Sequence, residues 1–138
     1  ALHTYFRVGD IRQARVVGLE GCEYLDATAD RARKRQDNCP ITFAGETDRA
    51  YVDTPDECSL YDTTRRRRLI IRKTGAASTV VWNPWIAKAK RLPDFGDDEW
   101  PGMLCIETGN VFDNAVTLAP GARHEMTTVI GVAPMERP

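Results

Sequence analysis

Three residues of this sequence, Glu107, His3 and Asp48, have types and settings that invite chemistry. Glu107 lies in MLCIETGNV, an apolar stretch over residues 103–111 that turns at Gly109. A charge at an inward strand position is costly unless something uses or pairs it. His3 lies in LHTYF, on the polar side of an alternating stretch that it shares with Tyr5. Asp48 lies in ETDRAY. A histidine beside a partly desolvated carboxylate is a competent acid–base pair near neutral pH. Burial raises the carboxyl pKa, and a nearby anion raises that of the imidazole. Two plainer readings stand beside this one. Acids in strands ordinarily form salt bridges or face water, and a lone strand histidine is ordinarily a hydrogen-bonded structural residue.

Other chemistries find little support. His124 sits between Arg123 and Glu125 just after Gly121, the setting of a solvated loop or a strand edge. The two histidines lie at opposite ends of the chain, with no carboxylate at ligand spacing, so no metal site is expected. The cysteines, Cys22, Cys39, Cys58 and Cys105, form no CxxC and match no zinc spacing. Cys105, in an apolar strand, reads as a buried free thiol, and reduced thiols in a reducing compartment are the expectation. No glycine-rich phosphate loop, nucleophile elbow or Cys–His arrangement is visible.

The elements that must position these residues are strands. Over residues 1–8, Leu2, Thr4, Phe6 and Val8 alternate with His3, Tyr5 and Arg7. Met103, Cys105 and Glu107 fall on one face of the 103–108 strand, with Leu104, Ile106 and Thr108 on the other. Further strands are expected at 15–19, 41–43, 47–52, 58–61, 69–71, 78–82, 115–118 and 126–132. Residues 24–37 are highly charged without an apolar stripe, which predicts an exposed loop with at most one helical turn. Residues 86–92, IAKAKRL, are the one plausible helix. The basic run at 65–68 lies between acids and an apolar strand, the pattern of a solvated hairpin turn rather than a nucleic-acid patch. Short strands at regular spacing, punctuated by Gly and Pro, predict an all-β fold, an antiparallel β-sandwich or barrel in a single domain over 1–138.

Composition agrees. The chain has 138 residues, 42% hydrophobic and 28% charged, with a formal net charge of −1. That balance makes no electrostatic case for nucleic acid or membrane, and no apolar run approaches the roughly 20 residues that span a bilayer. The N-terminus lacks the basic and apolar regions of a signal peptide. It opens directly in strand-like sequence without methionine, leading to the expectation of a piece of something longer.

Taken in order, the stretches ALHTYFRV, ETDRAYVDTP, VVWNPWIAKAKRLPDFGDDEWPGMLCIETGNV and VTLAPGARHEMT resemble the hexose-6-phosphate mutarotases. These are also called glucose-6-phosphate 1-epimerases, and their plant branch has been named apospory-associated protein C. The resemblance implies an antiparallel β-sandwich that is part of a galactose-mutarotase-like supersandwich, with this chain matching the C-terminal half. It implies His3 and Glu107 as the catalytic acid and base and Asp48 as a binder of sugar hydroxyls, with no metal or cofactor. The expected partner is a small sugar phosphate, not nucleic acid or membrane, for an intracellular protein of the cytoplasm or plastid that is a monomer at full length. In that family the residues that hold the phosphate lie in the other half. Arg7 and Arg49 match none of them, and Arg49 reads as an ion-pair or strand-face residue. The rival expectation is a non-catalytic carbohydrate-binding or interaction domain of the same fold, stacking sugars on Trp82, Trp85 or Trp100.

Overall fold

The computed structural model describes residues 1–135. Its strands are β1 (Tyr5–Arg7), β2 (Ala14–Val17), β3 (Glu23–Asp26), β4 (Ala32–Arg35), β5 (Thr47–Tyr51), β6 (Glu57–Asp62), β7 (Arg67–Thr74), β8 (Ser78–Asn83), β9 (Met103–Gly109) and β10 (Thr127–Pro134). Among the described residues one short α-helix, α1, spans Trp85–Ala89. The strands form a six-stranded sheet in the order β1-β9-β8-β5-β3-β4 and a four-stranded sheet in the order β10-β7-β6-β2. Every pairing in both is antiparallel.

Alternation explains how the sheets stack. Tyr51, Val81, Leu104 and Ile106 of the larger sheet join Val16, Leu60, Leu69 and Ile71 of the smaller in one buried apolar cluster. β9 differs from an ordinary sandwich strand in being buried along its whole length. Its Leu104/Ile106 side enters the core, and its Cys105/Glu107 side is covered as well. The cover on that second side is where the candidate site lies.

Several expectations are corrected. Residues 24–37 are not a loop but the β3–β4 hairpin, closed by a 3-10 turn at Ala27–Ala29. β4 is exposed throughout and has no apolar stripe to betray it. Cross-strand ion pairs support its ladder instead: Arg35 with Glu23 at 2.9 Å, Lys34 with Asp26 at 2.7 Å and Arg33 with Glu23 at 3.2 Å. Such charge on an edge strand also discourages pairing with a foreign strand. Residues 115–118 form no strand, because Val116 and Leu118 find no partner and remain exposed. Residues 41–43 contribute only the bridge between Ile41 and Val16. The helix lies earlier than 86–92, since Trp85 begins it directly after Pro84.

The basic run closes the β6–β7 hairpin as expected, and three of its arginines are engaged there. Arg65 and Arg67 lie at 3.8 and 3.2 Å from Asp62, and Arg68 lies 3.5 Å from Glu57. All four cysteines are free, with Cys58 and Cys105 buried. Among the described residues no helix is long and apolar enough to cross a membrane.

Candidate active site

Register brings the candidates together. Leu2 bridges Thr108 and Tyr5 pairs with Cys105, so His3 falls across from Glu107. The pairings Tyr5 with Cys105, Cys105 with Trp82 and Trp82 with Asp48 run as one row across four strands. The adjacent row runs from Glu107 through Val80 and Ala50 to Leu25. His3, Glu107, Trp82 and Asp48 therefore share the outer face of the six-stranded sheet. At a strand spacing of about 4.8 Å, β9 and β5 stand roughly 10 Å apart, the width of a small sugar.

His3 Nε2 lies 3.1 Å from Glu107 Oε1, with the histidine side chain 50% exposed and the glutamate 7%. The imidazole stacks on Tyr5 with centroids 4.9 Å apart and meets the edge of Trp82 at 6.1 Å. Burial pushes the Glu107 carboxyl above its ordinary pKa, the nearby His3 draws it back, and Asp48 adds to the rise. Burial likewise pushes up the Cys105 thiol, reinforced by Glu107. His3 and Glu107 thus stand together with the carboxylate shielded and the imidazole reachable from solvent.

Asp48 is held by a residue that sequence reasoning passed over. Lys88 Nζ lies 3.2 Å from Asp48 and 3.2 Å from Glu46, and 6.0 Å from the centre of the Trp82 ring. Burial works against the Lys88 charge, but the hydrogen bonds to Asp48 and Glu46 outweigh it and raise the pKa. The WNPW segment aims this lysine. The fully buried Asn83 side chain donates to the carbonyls of Trp100 at 2.8 Å and Met103 at 2.9 Å, and accepts from the Trp85 N–H at 2.8 Å. Trp85 adopts φ +56°, a conformation rare for a bulky residue. Its contact with Trp100, at 4.4 Å between centroids, helps hold it there. The sharp turn sends α1 back across the sheet face. The sequence signal was a lysine just after WNPW, but nothing local linked it to Asp48.

The other candidates separate from the site. Arg49, next to Asp48, points to the opposite face, donating to Gln36 Oε1 at 3.2 Å and lying 5.0 Å over Tyr24. It is a strand-face residue without an ion pair among the described residues. His124 is exposed beside the Gly75 carbonyl at 2.7 Å. Trp85 and Trp100 pack on each other, leaving Trp82 as the tryptophan that touches His3. A concavity of about 380 Å³ adjoins the site and is lined by Leu25, Arg31, Asp48, Ala50, Val80 and Phe112 among others. A larger one, about 570 Å³, is lined by Arg15, Arg35 and Arg49 and touches none of the acid–base residues. Chemistry rather than volume selects the site. Spacing along the chain offers no metal argument, yet the fold gathers His3, Cys105 and Glu107, with one donor atom from each all within 4.8 Å of one another.

Two antiparallel sheets stacked face to face, with a His–Glu pair on the outer face of the larger, define a mutarotase-like β-sandwich. The chain superposes with a TM-score of 0.86 on a Salmonella typhimurium crystal structure described as that of a "putative mutarotase", at 30% identity, covering 96% of this chain and 44% of that one. Residues 1–131 match the aldose 1-epimerase family, and the chain belongs to that family. A Cenchrus ciliaris protein named "Putative glucose-6-phosphate 1-epimerase" is 40% identical over 121 residues, 88% of this chain and 36% of the relative. A Salmonella typhimurium protein of the same name is 35% identical over 109 residues, 78% of this chain and 36% of the relative. The chain thus spans little more than a third of the length of these curated relatives.

Proposed function

We propose that this chain is the C-terminal portion of a glucose-6-phosphate 1-epimerase, and that it carries the acid–base pair interconverting the α and β anomers of aldohexose 6-phosphates. The observation that carries this reading is the 3.1 Å approach of His3 Nε2 to Glu107 Oε1 across neighbouring strands. Glu107, as base, takes the proton from the C1 hydroxyl while protonated His3 gives one to the ring oxygen, and the C1–O5 bond breaks. The open aldehyde rotates about C1–C2. Closure on the other face of the carbonyl returns both protons, so each residue ends as it began. Glu107's raised pKa suits this shuttle, because burial makes the carboxylate more basic and so a better acceptor for the hydroxyl proton. Asp48 accepts from ring hydroxyls and fixes the sugar between the two rows, with Lys88 holding its carboxylate in place. The partner is a small sugar phosphate.

Exchange NMR or polarimetry on glucose 6-phosphate anomers tests this. It compares the chain, alone and fused to the remaining length of the Cenchrus ciliaris relative, with Glu107→Gln and His3→Asn. The expected loss is roughly 10²- to 10⁴-fold for each substitution. A fused wild type no faster than buffer, or variants as fast as wild type, would sink the proposal. A non-catalytic sugar-binding domain is the second reading, favoured only by Trp82 at the site face. It predicts sugar binding by both variants and no exchange by any form.

A further inference from the structure

We infer that His3, Cys105 and Glu107 also form a binding site for a zinc-type divalent cation, and that this cation inhibits the acid–base pair. The inhibitory part rests on the function proposed above; the binding part does not. One imidazole nitrogen, one sulfur and one carboxylate oxygen lie within 4.8 Å of one another. Zinc holds such donors at about 2.0–2.3 Å in a tetrahedron, with neighbouring ligands roughly 3.5 Å apart. The His3–Glu107 distance of 3.1 Å already meets that spacing, and the sulfur needs a small approach. The donor set is selective. A thiol beside an imidazole favours borderline-soft zinc over magnesium or calcium, which take oxygen ligands. Three protein donors leave a fourth position, and the half-exposed His3 places it toward solvent.

All three donors sit on two hydrogen-bonded strands, since Tyr5 pairs with Cys105 and Leu2 bridges Thr108. The site is therefore held by the sheet and needs no loop to order. Cys105 is fully buried, and its cross-strand neighbour Tyr5 is largely exposed and stacks on His3. Binding displaces the Cys105 proton to solvent, leaving a thiolate on the metal. It also occupies the lone pairs of His3 and Glu107 that the epimerase reaction requires, so metal and sugar turnover exclude each other. Cys105 takes no part in the proton transfers, which lets one variant separate the two roles.

The test titrates zinc against a chromophoric chelator and follows the ultraviolet thiolate-to-metal band on adding cadmium. Wild type, Cys105→Ser, Cys105→Ala, His3→Asn and Cys39→Ser are compared, the last as an exposed-thiol control. One zinc per chain is expected in wild type and Cys39→Ser. Affinity should fall roughly tenfold or more in both Cys105 variants and in His3→Asn, and the cadmium band should disappear with Cys105. Equal affinity in all five proteins, or a band that follows Cys39, overturns the site. Where exchange activity is present, Cys105→Ser should retain the basal rate and lose zinc inhibition. Inhibition undiminished in that variant overturns the regulatory part, whereas absent exchange activity tells against the proposed function and leaves the binding result intact.

Discussion

Two buried carboxylates, Glu107 in the middle of β9 and Asp62 at the end of β6, live in opposite circumstances. Asp62 is 0% exposed, and donors surround it. Oδ1 accepts from the backbone N–H groups of Gly9 and Arg65, each at 3.2 Å, and Oδ2 accepts from Arg67 Nε at 3.2 Å. Because Gly9 follows β1 and Asp62 ends β6, these bonds tie the larger sheet to the smaller. Glu107 is 6% exposed; among the described residues the one basic side chain within 4 Å of its carboxylate is the half-exposed His3, with the N-terminal amine acting from further off. Removing a carboxylate from water costs several kcal/mol unless its lone pairs are satisfied. Asp62 recovers that cost through its donors and serves the fold. Glu107 does not, and its raised pKa records the deficit. The contrast teaches that burial alone does not mark a functional acid. A buried acid with few donors and a raised pKa is the better candidate, since perturbed groups collect at functional sites.

The sharpest way to break this comparison is Glu107→Gln. Exchange should fall roughly 10²- to 10⁴-fold while the melting temperature holds or rises, since an under-satisfied charge has been removed. A large drop in melting temperature would place Glu107 with Asp62 among structural acids. Asp62→Ala should do the reverse. Orphaning two backbone donors and two guanidinium groups should cost about 3 kcal/mol in urea unfolding, with activity per folded molecule preserved. A neutral result would remove Asp62 as the tie between the sheets.

Lys88→Met sharpens the site half of the contrast. Leaving Asp48 and Glu46 without their shared cation should raise KM roughly tenfold and change kcat less, with little effect on stability because the pair is partly exposed. Equal losses in kcat and kcat/KM would show that Lys88 acts in the transition state instead. The smallest effect concerns pH. Burial raises Glu107 above its ordinary 4.5, so between the unfolded and folded pKa the native chain binds more protons and stability declines as pH rises through that window. Wild type and Glu107→Gln should match below that window, with the variant gaining a slight advantage above it in melting scans. Curves that remain parallel throughout would contradict the raised carboxyl.

Strands whose cores are β-branched or apolar were legible in the chain. β5, β8 and β9 lie at Thr47–Tyr51, Ser78–Asn83 and Met103–Gly109, within a residue of the stretches their alternation predicts. β4 was illegible because its support is ionic and lies on β3, so nothing within ARKR reveals it. Residues 115–118 failed in the other direction, with apolar side chains that suit a strand but have no neighbour to pair with. At the site, Glu107 announced itself as a charge in an apolar run. Lys88 did not, because its meaning depends on the turn that Asn83 and Trp85 impose.

The amino-acid sequence alone determined the two-residue alternation that puts Glu107 and Cys105 on one side of β9 and His3 and Tyr5 together near β1. Those facts are local, since side-chain direction along an extended chain follows from backbone geometry. Only the tertiary structure decided that His3 stands across from Glu107, that Cys105 completes a trio of donors, and that Lys88 reaches Asp48. Register is a non-local quantity, set by which distant strands exchange hydrogen bonds while their apolar faces meet in one core. A slip of one residue between β1 and β9 would preserve the local alternation and turn His3 to the other face of the sheet.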